Sequence, residues 1–370
     1  MVSRRRFLSR SALGILGLSS SALAFSSDDE ERLPDGHASK GMITAEAERA
    51  IEGGLAYLKN QQHRDGSYGT GTYQQGNVAI TSLAGLAMMA GGHQPGRGAY
   101  GKVVTDALQF VMSQESRETP GYLHNPAATP HGPMYGHGFG TLFLAEVYGM
   151  VTDERLRKEL KEKLKRAVAL ILSSQNQEEG GSGGGWRYHP TSKDADLSVT
   201  ICQIMALRAA RNAGFAVPKS KVDRCVGYVK RCQDKMEGWF RYQAQGGQGG
   251  GAQQAFARTA AGVCALYSAG IYKGPEIEAG LKYLMQCKPT GHFFQHNMHY
   301  FYGHYYAAQA MWIAGGPYWR EWFPAIREEL LNIRQADGSW SDGRFDRSYC
   351  TAMALIILQI PNNYLPILQR

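Results

Sequence analysis

A repeat of helical segments, each ending in a glutamine, constrains the fold of this 370-residue chain more than any other feature. In each copy an apolar residue and a few spacers precede the glutamine, and four of the six glutamines lead into a glycine with an aromatic residue close behind. The glutamines are Gln62, Gln114, Gln175, Gln233, Gln286 and Gln335, at steps of 52, 61, 58, 53 and 49 residues. Each step has room for two average helices, which indicates an array of units that bury their faces against one another.

Each unit alternates an amphipathic helix with one that is apolar nearly all round. In the first unit, Ile51, Leu55 and Leu58 recur every three or four residues, which places them on one face of a helix. The segment Ala79–Met89 is apolar on nearly every side, so we expect it to be buried. The alternation predicts an all-α fold in which an outer ring of amphipathic helices surrounds an inner ring of apolar helices.

The same pattern predicts six outer and six inner helices. We expect outer helices at 43–62, 102–115, 154–176, 221–234, 276–287 and 321–335, and inner helices at 78–91, 135–149, 196–213, 256–270, 302–315 and 348–360. Two glycine-rich connections, 179–186 and 243–254, have the length of lids or binding loops. Neither follows a strand or carries the lysine and threonine of a phosphate-binding P-loop.

The first 24 residues have the features of a secretory signal: a charged head, a short apolar run and an Ala-x-Ala exit at Ala22–Ala24. A membrane span would need about 20 apolar residues. Ser3–Leu8 resembles the twin-arginine signal at all six positions, which implies export of a folded protein to the periplasm or cell envelope. An ordinary secretory signal or an uncleaved anchor is the alternative. Residues 25–41 predict a polar linker, and 42–370 predict a single domain.

The charge of the chain argues against a nucleic-acid partner. Four arginines of the signal contribute to the net charge of +8, so the remaining chain carries only about +4 (8 minus 4). That balance is too weak to indicate binding of DNA or RNA. Peripheral contact with a membrane stays open, as does the oligomeric state.

The six cysteines are scattered through segments of helical character. We expect most of them to be buried small hydrophobic residues, because a chain of this size and apolar content needs no disulfide framework. Cys225 and Cys232 lie seven residues apart on one predicted helix, which stacks them two turns apart. A disulfide between these two is therefore not expected.

The first unit contains Gly54, Tyr57-Leu58, Gln62 and Gly66-Ser67-Tyr68 at fixed spacing. This segment resembles the glutamine–tryptophan motif of the terpenoid cyclase and protein prenyltransferase superfamily, which includes squalene-hopene cyclases. The unit around Gln335 and Trp340 matches with one residue fewer, and the unit around Gln233 and Trp239 with one more. The resemblance covers nearly the whole chain after the signal and implies an (α/α)6 toroid of six helix pairs. It implies less about activity, since one fold supports many functions.

Class II terpene cyclases carry an Asp-x-Asp-Asp motif whose middle aspartic acid protonates an alkene. The run Asp194-Ala195-Asp196-Leu197 places Asp196 where the resemblance implies that acid, with Asp194 before it. Leu197 replaces the last aspartate of the motif. The alternative is that Asp196 or Ser198 caps the inner helix and accepts hydrogen bonds from its free amide groups.

Protein prenyltransferases bind zinc through an Asp-x-Cys pair and a later histidine. Asp223-Arg224-Cys225 and His304 supply these residue types here. However, the pair opens an outer helix, whereas the ligands of that family lie on inner helices that face the cavity. A zinc site is therefore not expected at this place.

The tripeptides Tyr135-Gly136-His137 and Tyr302-Gly303-His304 open the inner helices of units two and five, which stand opposite in a ring of six. We expect them to face each other across the central mouth, near Tyr305, with Asp196 and Arg258 between them. Imidazoles that converge with a carboxylate could hold a divalent metal or act as acid and base. The alternatives are ligand contact without a metal, a polar-aromatic cavity lining, or satisfied helix ends. The cofactor stays unknown, and a metal is not favoured.

Three functions are compatible with this sequence. The first is an exported protein whose central cavity binds an isoprenoid-like or other apolar ligand, with cyclase chemistry at Asp196. The second is a non-catalytic binding or scaffold protein of the cell envelope, which Leu197 in place of an aspartate favours. The third is a metal-dependent or acid–base enzyme acting on polysaccharide, although no pair of catalytic carboxylates identifies it.

Overall fold

The structure, a computed structural model, describes residues 39–71, 75–128, 132–245, 255–289 and 299–369. These residues belong to one compact unit within 32–370 and contain twelve α-helices. The helices are α1 (Ala45–Gln61), α2 (Val78–Ala90), α3 (Gly101–Ser113), α4 (Pro133–Tyr148), α5 (Glu154–Ser174), α6 (Leu197–Asn212), α7 (Lys219–Cys232), α8 (Phe256–Ser268), α9 (Pro275–Gln286), α10 (Tyr300–Ala314), α11 (Gly316–Ile333) and α12 (Arg347–Gln359). In these ranges no helix is long and apolar enough to cross a membrane.

Parts of three predictions lie outside the described residues. They are the predicted signal (1–24), most of the predicted linker (25–41) and positions 246–254 of the second glycine-rich connection. The signal, the linker and the glycine-rich loop therefore stay predictions.

The even-numbered helices form a closed inner ring. Each packs against the next, and α12 packs against α2 to complete the circle, while the odd-numbered helices lie outside them. All residues of α2 but Ala79 are buried, whereas α1 buries only one face, through residues such as Leu55 and Leu58. Side-chain caps begin several helices, as where Asn77 accepts from the backbone N–H of Ile80 at 3.1 Å. The predicted all-α toroid of six helix pairs is confirmed.

Three of the repeated glutamines link consecutive outer helices by hydrogen bonds. In each case the side-chain amide donates both to the carbonyl of a glycine in the following turn and to a carbonyl in the first turn of the next outer helix. The sets are Gln62 with Gly66 and Val103, Gln175 with Gly184 and Lys221, and Gln233 with Gly238 and Glu276, at 2.8 to 3.1 Å. The sequence repeat is therefore a repeated connection between neighbouring units.

The glycine of this turn lies against the backbone of the next outer helix. Gly184 has φ +94, and a Cβ there would lie 2.1 Å from the carbonyl oxygen of Arg224. Gly338 repeats the arrangement in the last unit, with φ +88 and the carbonyl oxygen of Gly53 at 2.8 Å from such a Cβ. Since Gly53 belongs to α1, this contact also helps to close the ring.

The residue two positions after each of these glycines sets the register of the inner helix. Its backbone N–H donates to a threonine hydroxyl in the first turns of that helix. The pairs are Tyr68 with Thr81, Trp186 with Thr200, Phe240 with Thr259 and Trp340 with Thr351, at 3.0 to 3.1 Å. In the second unit Leu123 donates to Nδ1 of His137 at 3.3 Å, so this histidine takes the place of the threonine.

Helix α11 differs from the prediction because it begins at Gly316, five residues before the predicted start. Gly315 ends α10 with φ +68, and Pro317 lies in the first turn of α11, where the missing N–H of proline costs nothing. Helix α11 also contains Pro324. The predicted connection is thus part of the helix, which buries Trp319 and Trp322.

The two ends of the inner ring are distinct. The N-terminal ends of the inner helices meet at one end, named the mouth here, where the hydroxyls of Tyr135 of α4 and Ser198 of α6 are 2.6 Å apart. The C-terminal ends meet at the other end, named the base, where the side chain of Gln359 of α12 donates to the carbonyl of Ala87 of α2 at 3.0 Å. A ligand that enters from the mouth therefore meets first-turn residues.

All six cysteines are free thiols. Five are buried and Cys287 is partly exposed, as expected for small hydrophobic residues. Burial raises the pKa of the Cys232 thiol to about 12. These thiols contribute packing and no covalent bonds.

Candidate functional site

Three inner helices converge on Ser198 in the first turn of α6. Its hydroxyl donates to Oδ1 of Asp196 at 2.6 Å, so the hydroxyl of Tyr135 on α4 donates to Ser198, also at 2.6 Å. The hydroxyl of Tyr302 on α10 donates to the backbone carbonyl of Ser198 at 3.1 Å. The structure thus brings together at the mouth the tyrosines of the two predicted tripeptides.

Asp196 caps α6, as the alternative interpretation of the sequence has it. Its Oδ1 accepts from the backbone N–H of Val199 at 2.9 Å in addition to Ser198, and its Oδ2 accepts from Nη1 of Arg187 at 2.8 Å. The residue has no exposed surface. Burial raises the pKa of Asp196, and the donors from Ser198, Val199 and Arg187 oppose that rise. Both carboxyl oxygens are thus engaged within the protein.

Arg187 links the two predicted acidic residues. Its Nε lies 3.0 Å from Oδ2 of Asp194, whose side chain is 53% exposed, and its Nη1 contacts the buried Asp196. The guanidinium also donates to the hydroxyl of Tyr242 at 2.7 Å and lies 4.2 Å from the ring centre of Tyr188. Burial lowers the pKa of Arg187, but the hydrogen bond and charge of Asp196 outweigh this effect and raise it. The arginine therefore stays charged and fixed.

Tyr188 and Tyr242 complete this network from two different loops. Their hydroxyl oxygens are 2.7 Å apart. The carbonyl of Tyr188 accepts from the N–H of Met134 in α4, and the carbonyl of Tyr242 accepts from the N–H of Leu197 in α6, at 3.0 and 2.9 Å. Each tyrosine thereby joins its own loop to the first turn of the preceding inner helix.

Arg187, Tyr188 and Tyr242 were not predicted from the sequence. A signal was present, because Trp186-Arg187-Tyr188 and Phe240-Arg241-Tyr242 repeat aromatic–arginine–tyrosine in units three and four. The two arginines nevertheless differ in role. Arg241 contacts Asp234 on the outside at 2.8 Å, whereas Arg187 turns into the mouth.

A layer of aromatic side chains crosses the ring axis beneath this network. Phe139 of α4 and Tyr305 of α10 belong to opposite units, and their ring centres are 6.2 Å apart in an edge-to-face arrangement. The Tyr306 hydroxyl lies 3.4 Å from the Cys202 thiol of α6. Burial raises the pKa of Cys202 to about 12 and that of Tyr306 well above its usual value, so both stay neutral. This layer is the floor of the mouth.

Partly exposed side chains surround the mouth above this floor. Tyr349 on the first turn of α12 is one of them. Burial first, and then interactions with neighbours that include Cys202 and Tyr349, raise the pKa of Tyr302 well above its usual value. We define the mouth cluster as Tyr135, Arg187, Tyr188, Asp194, Ser198, Tyr242, Tyr302 and Tyr349. It combines the aromatic rings and hydroxyl groups of five tyrosines with the guanidinium of Arg187, which is paired with Asp194 and Asp196.

The two predicted histidines lie between the inner and outer rings. His137 accepts from Leu123, which follows an outer helix. His304 lies among aromatic rings, 4.5 Å from Tyr300 and 5.9 Å from Trp322 of outer helix α11, measured between ring centres. Burial lowers the pKa of both His137 and His304 to about 3. They are therefore neutral and do not join the two tyrosines at the mouth.

Arg258 lies in the first turn of α8 and is half-buried. Burial lowers its pKa, and an electrostatic interaction with Tyr283 on outer helix α9 opposes this effect. Asp223 and Cys225 of α7 diverge: Asp223 bonds to Lys219 at the surface, and Cys225 is buried. Within the described ranges, no three His, Cys, Asp or Glu side chains are grouped closely enough to hold a metal ion.

The sequence matches the family model for the prenyltransferase alpha-alpha toroid domain over residues 39–129 and 141–299, which is more than half of the chain. No curated protein matches it. The matched segments include Asp194, Asp196 and Ser198, which lie just before and within the first turn of inner helix α6.

Solved structures of similar shape include a terpene cyclase, a mannanase and an epimerase. The type II terpene cyclase MstE from Scytonema is 14% identical, with a TM-score of 0.56 over 86% of this chain and 99% of its own. An alpha-1,6-mannanase of a Salegentibacter species, in complex with alpha-1,6-mannotriose, is 11% identical, with a TM-score of 0.57 over 85% and 98%. Cellobiose 2-epimerase from Bacillus thermoamylovorans is 12% identical, with a TM-score of 0.59 over 84% and 96%. At these identities the likeness concerns the fold alone.

Proposed function

We propose, from the premise that this chain belongs to the prenyltransferase alpha-alpha toroid domain family, that it binds a saccharide or another hydroxyl-rich ligand at its mouth without transforming it. The toroid fold is shared with terpene cyclases and with enzymes that act on sugars, so the fold leaves both ligand classes open. The observation that carries the proposal is the mouth cluster itself, a hydroxyl-bearing aromatic surface above a closed floor.

The chemistry of the mouth cluster suits a ligand that is apolar on its faces and polar at its edges. Aromatic rings of Tyr135, Tyr302 and Tyr349 offer flat apolar surface. The hydroxyls of Tyr135 and Tyr302 donate to Ser198 and keep lone pairs that can accept from a ligand. Ligand sites generally combine aromatic walls with a few fixed polar groups that set orientation. A sugar ring meets both requirements, since its C–H faces are apolar and its hydroxyls lie at the edge.

The polar groups of the mouth are held in place before any ligand arrives. Tyr242 is fixed by Arg187 at 2.7 Å and by Tyr188 at 2.7 Å, and Tyr135 is fixed by Ser198 at 2.6 Å. Side chains that are already ordered lose little entropy when a ligand binds. The cluster is therefore suited to recognition by a rigid surface.

Cyclase chemistry at Asp196 is less compatible with the geometry. An acid that protonates an alkene must carry its proton on an oxygen that points at the substrate. Both oxygens of Asp196 instead accept from Ser198, Val199 and Arg187. A long isoprenoid-like ligand in the centre of the ring would also have to displace the floor formed by Phe139 and Tyr305.

Glycoside hydrolysis at this site is also less compatible. That chemistry generally needs one carboxyl group as acid and a second as base or nucleophile. Asp194 and Asp196 both contact the same arginine, at 3.0 and 2.8 Å, and Asp196 is buried. Binding without catalysis therefore agrees best with the arrangement.

We further propose that the protein works in the cell envelope. The basis is the twin-arginine-like run Ser3–Leu8, which lies outside the described residues. Cell-envelope polysaccharides are accessible to an exported protein. Fusing residues 1–41 to a reporter that folds in the cytoplasm tests this proposal, because reporter retained in the cytoplasm would contradict it.

Isothermal titration calorimetry on the purified protein tests the ligand class. We would titrate alpha-1,6-mannotriose and cellobiose, and in a separate series geranylgeraniol in detergent micelles. The proposal predicts binding of a saccharide and its weakening by about tenfold in Tyr242→Phe, which removes one fixed hydroxyl. Tyr364→Phe is the matched control, because Tyr364 is 55% exposed and belongs to the segment that follows α12.

Two outcomes would overturn the proposal. If geranylgeraniol binds and neither saccharide does, an apolar ligand would be favoured instead. Saccharide binding that is equally strong in the Tyr242→Phe and Tyr364→Phe variants would place the ligand away from the mouth cluster.

A further inference from the structure

A short segment crosses the base of the ring. The segment Tyr364–Gln369 follows α12 and contains a 3₁₀ turn, Pro366–Leu368, that packs against both α6 and α10. Leu365 and Leu368 are buried. Because α6 and α10 belong to units three and five, with α8 between them, the segment spans the opening rather than lining one side of it.

Two side chains from opposite units hold this segment. The backbone N–H of Ile367 donates to Oε2 of Glu146, near the C-terminal end of α4, at 3.1 Å. The indole N–H of Trp312, near the C-terminal end of α10, donates to the carbonyl of Leu368 at 3.0 Å. Side chains of units two and five thus form hydrogen bonds with adjacent residues of the same turn.

We propose that the segment Tyr364–Gln369 is a displaceable plug over the base of the toroid and that Glu146 is the pH-sensitive latch that holds it. This inference concerns the end of the ring opposite the mouth and does not rest on the proposed ligand. Displacement of the plug would open the interior beneath the Phe139–Tyr305 layer to solvent from the base.

Glu146 is suited to a latch because it is a carboxyl group in an apolar place. The residue is 3% exposed, and it makes its bond to the plug rather than to an arginine or lysine. Burial raises the pKa of Glu146 to about 8, and the bond from Ile367 opposes part of that rise. The carboxyl group is therefore mostly neutral at pH 7, and its ionisation in the closed state is costly.

Among the described residues, few titratable groups lie on the elements packed against Glu146. Helix α2 and the buried faces of α3 and α5 carry no titratable side chain. On α10, Tyr305 interacts with Glu146, and burial raises the pKa of Tyr305 far above its usual value. On α6, burial raises the pKa of Cys202 to about 12. The other charged side chains of this helix are Arg208 and Arg211. Tyr364 of the plug is exposed.

The sign of the pH effect follows from proton binding. The pKa of Glu146 is about 8 when the plug is closed, against its ordinary value of 4.5 when the carboxyl group reaches water. Between these values the closed state binds the extra proton, so raising the pH favours the open state. The open fraction should rise by about tenfold per pH unit from about pH 5 to about pH 8, and then level off.

Hydrogen exchange at the amide of Ile367 tests the latch directly, since this amide is the donor to Glu146. We would measure its protection factor, corrected for the intrinsic rate, in the full chain between about pH 5.5 and 7.5. In the wild type we expect protection to fall by about tenfold per pH unit. Glu146→Gln keeps a side-chain carbonyl and cannot ionise, so its protection should not depend on pH.

Two controls separate the latch from general loosening. The amide of Asn363 bonds to Ile360 just before the plug, and its protection should not follow the ionisation of Glu146. Trp312→Phe removes the second bond, so it should lower Ile367 protection by the same factor at every pH. A wild-type protection factor that ignores pH would overturn the proposal, as would equal slopes in the wild type and Glu146→Gln. Loss of protection at every pH in Glu146→Gln would equally overturn it.

Discussion

Arg187 donates from Nη1 to Oδ2 of Asp196 at 2.8 Å while Oδ1 of the same carboxylate caps helix α6. One buried side chain therefore both starts an inner helix and holds the arginine that orders Tyr242. A residue in this position has a structural task that is independent of any catalysis. We therefore expect substitution of Asp196 to change first of all the stability of the fold.

We expect Asp196→Asn to lower the free energy of unfolding by about 3 kcal/mol, because it leaves a largely buried arginine without its closest counter-charge. Asparagine still caps a helix well, so loss of the cap contributes little. Asp194→Asn is the matched control: its side chain is 53% exposed, and its pairing with the same arginine should contribute less than about 1 kcal/mol. Chemical denaturation measures both. Equal losses in the two variants would contradict the central role of Asp196, and a ligand-dependent activity that disappears in Asp196→Asn alone, at unchanged stability, would restore the acid.

Two glycines in the same loop separate backbone strain from steric collision. Gly184→Ala should lower the free energy of unfolding by more than about 3 kcal/mol, because a Cβ at this φ of +94 would lie 2.1 Å from the Arg224 carbonyl oxygen. Gly180 has φ +80 with nothing within 4 Å of its Cβ position, so Gly180→Ala should cost only about 1 kcal/mol. Thermal or urea unfolding of the pair decides the matter. Similar losses would mean that the loop moves away from α7 without penalty.

The buried histidines should make the fold sensitive to acid. Burial lowers the pKa of His137 to about 3, whereas an unfolded histidine titrates near its ordinary value of 6.5. In this window the unfolded chain binds the extra proton, so stability falls as the pH decreases from about 6 to about 4. Comparing the wild type with His137→Gln at each pH cancels the other groups. The difference should change by about 1.4 kcal/mol per pH unit, and a constant difference would show that His137 already carries a proton or reaches water in the fold.

The aromatic floor predicts a cavity when Phe139 is removed. Phe139→Ala should lower the free energy of unfolding by about 3 to 5 kcal/mol, and the apolar space left beside Tyr305 should admit a benzene-sized molecule. Thermal unfolding with and without benzene measures both effects. Phe345→Ala is the control, because Phe345 is 39% exposed and its loss should cost less than about 1 kcal/mol. A benzene effect of equal size in both variants would contradict a closed floor.

The architecture could be predicted from the sequence because its signals are local and repeated. An inner helix such as α2 is apolar on nearly every side, and its predicted range, 78–91, differs by one residue from the observed Val78–Ala90. Helix α11 was the exception. The predicted ranges leave 316–320 between two helices, but Gly315 ends α10 and Pro317, two residues later, lies in the first turn of α11. Local composition does not distinguish a connection from two adjacent helix ends.

The mouth was predicted only in part. Tyr135, Tyr302 and Asp196 were expected there, since each begins an inner helix and the ring brings those ends together. Arg187 was missed because its partner Tyr242 lies 55 residues away and neither belongs to a helix. No periodic pattern describes a contact between two loops.

The sequence by itself determined the number of helix pairs, their order, and which helices are inside. The reason is that the spacing of apolar residues along each helix shows which of its faces are buried. The tertiary structure alone decided which polar side chains point into the mouth. His137 and Thr200 occupy the same register, and Arg187 and Arg241 stand in the same tripeptide, yet only Arg187 joins the site. Hydrogen-bonding groups are directional, so their roles depend on the partner atoms that the closed ring places beside them.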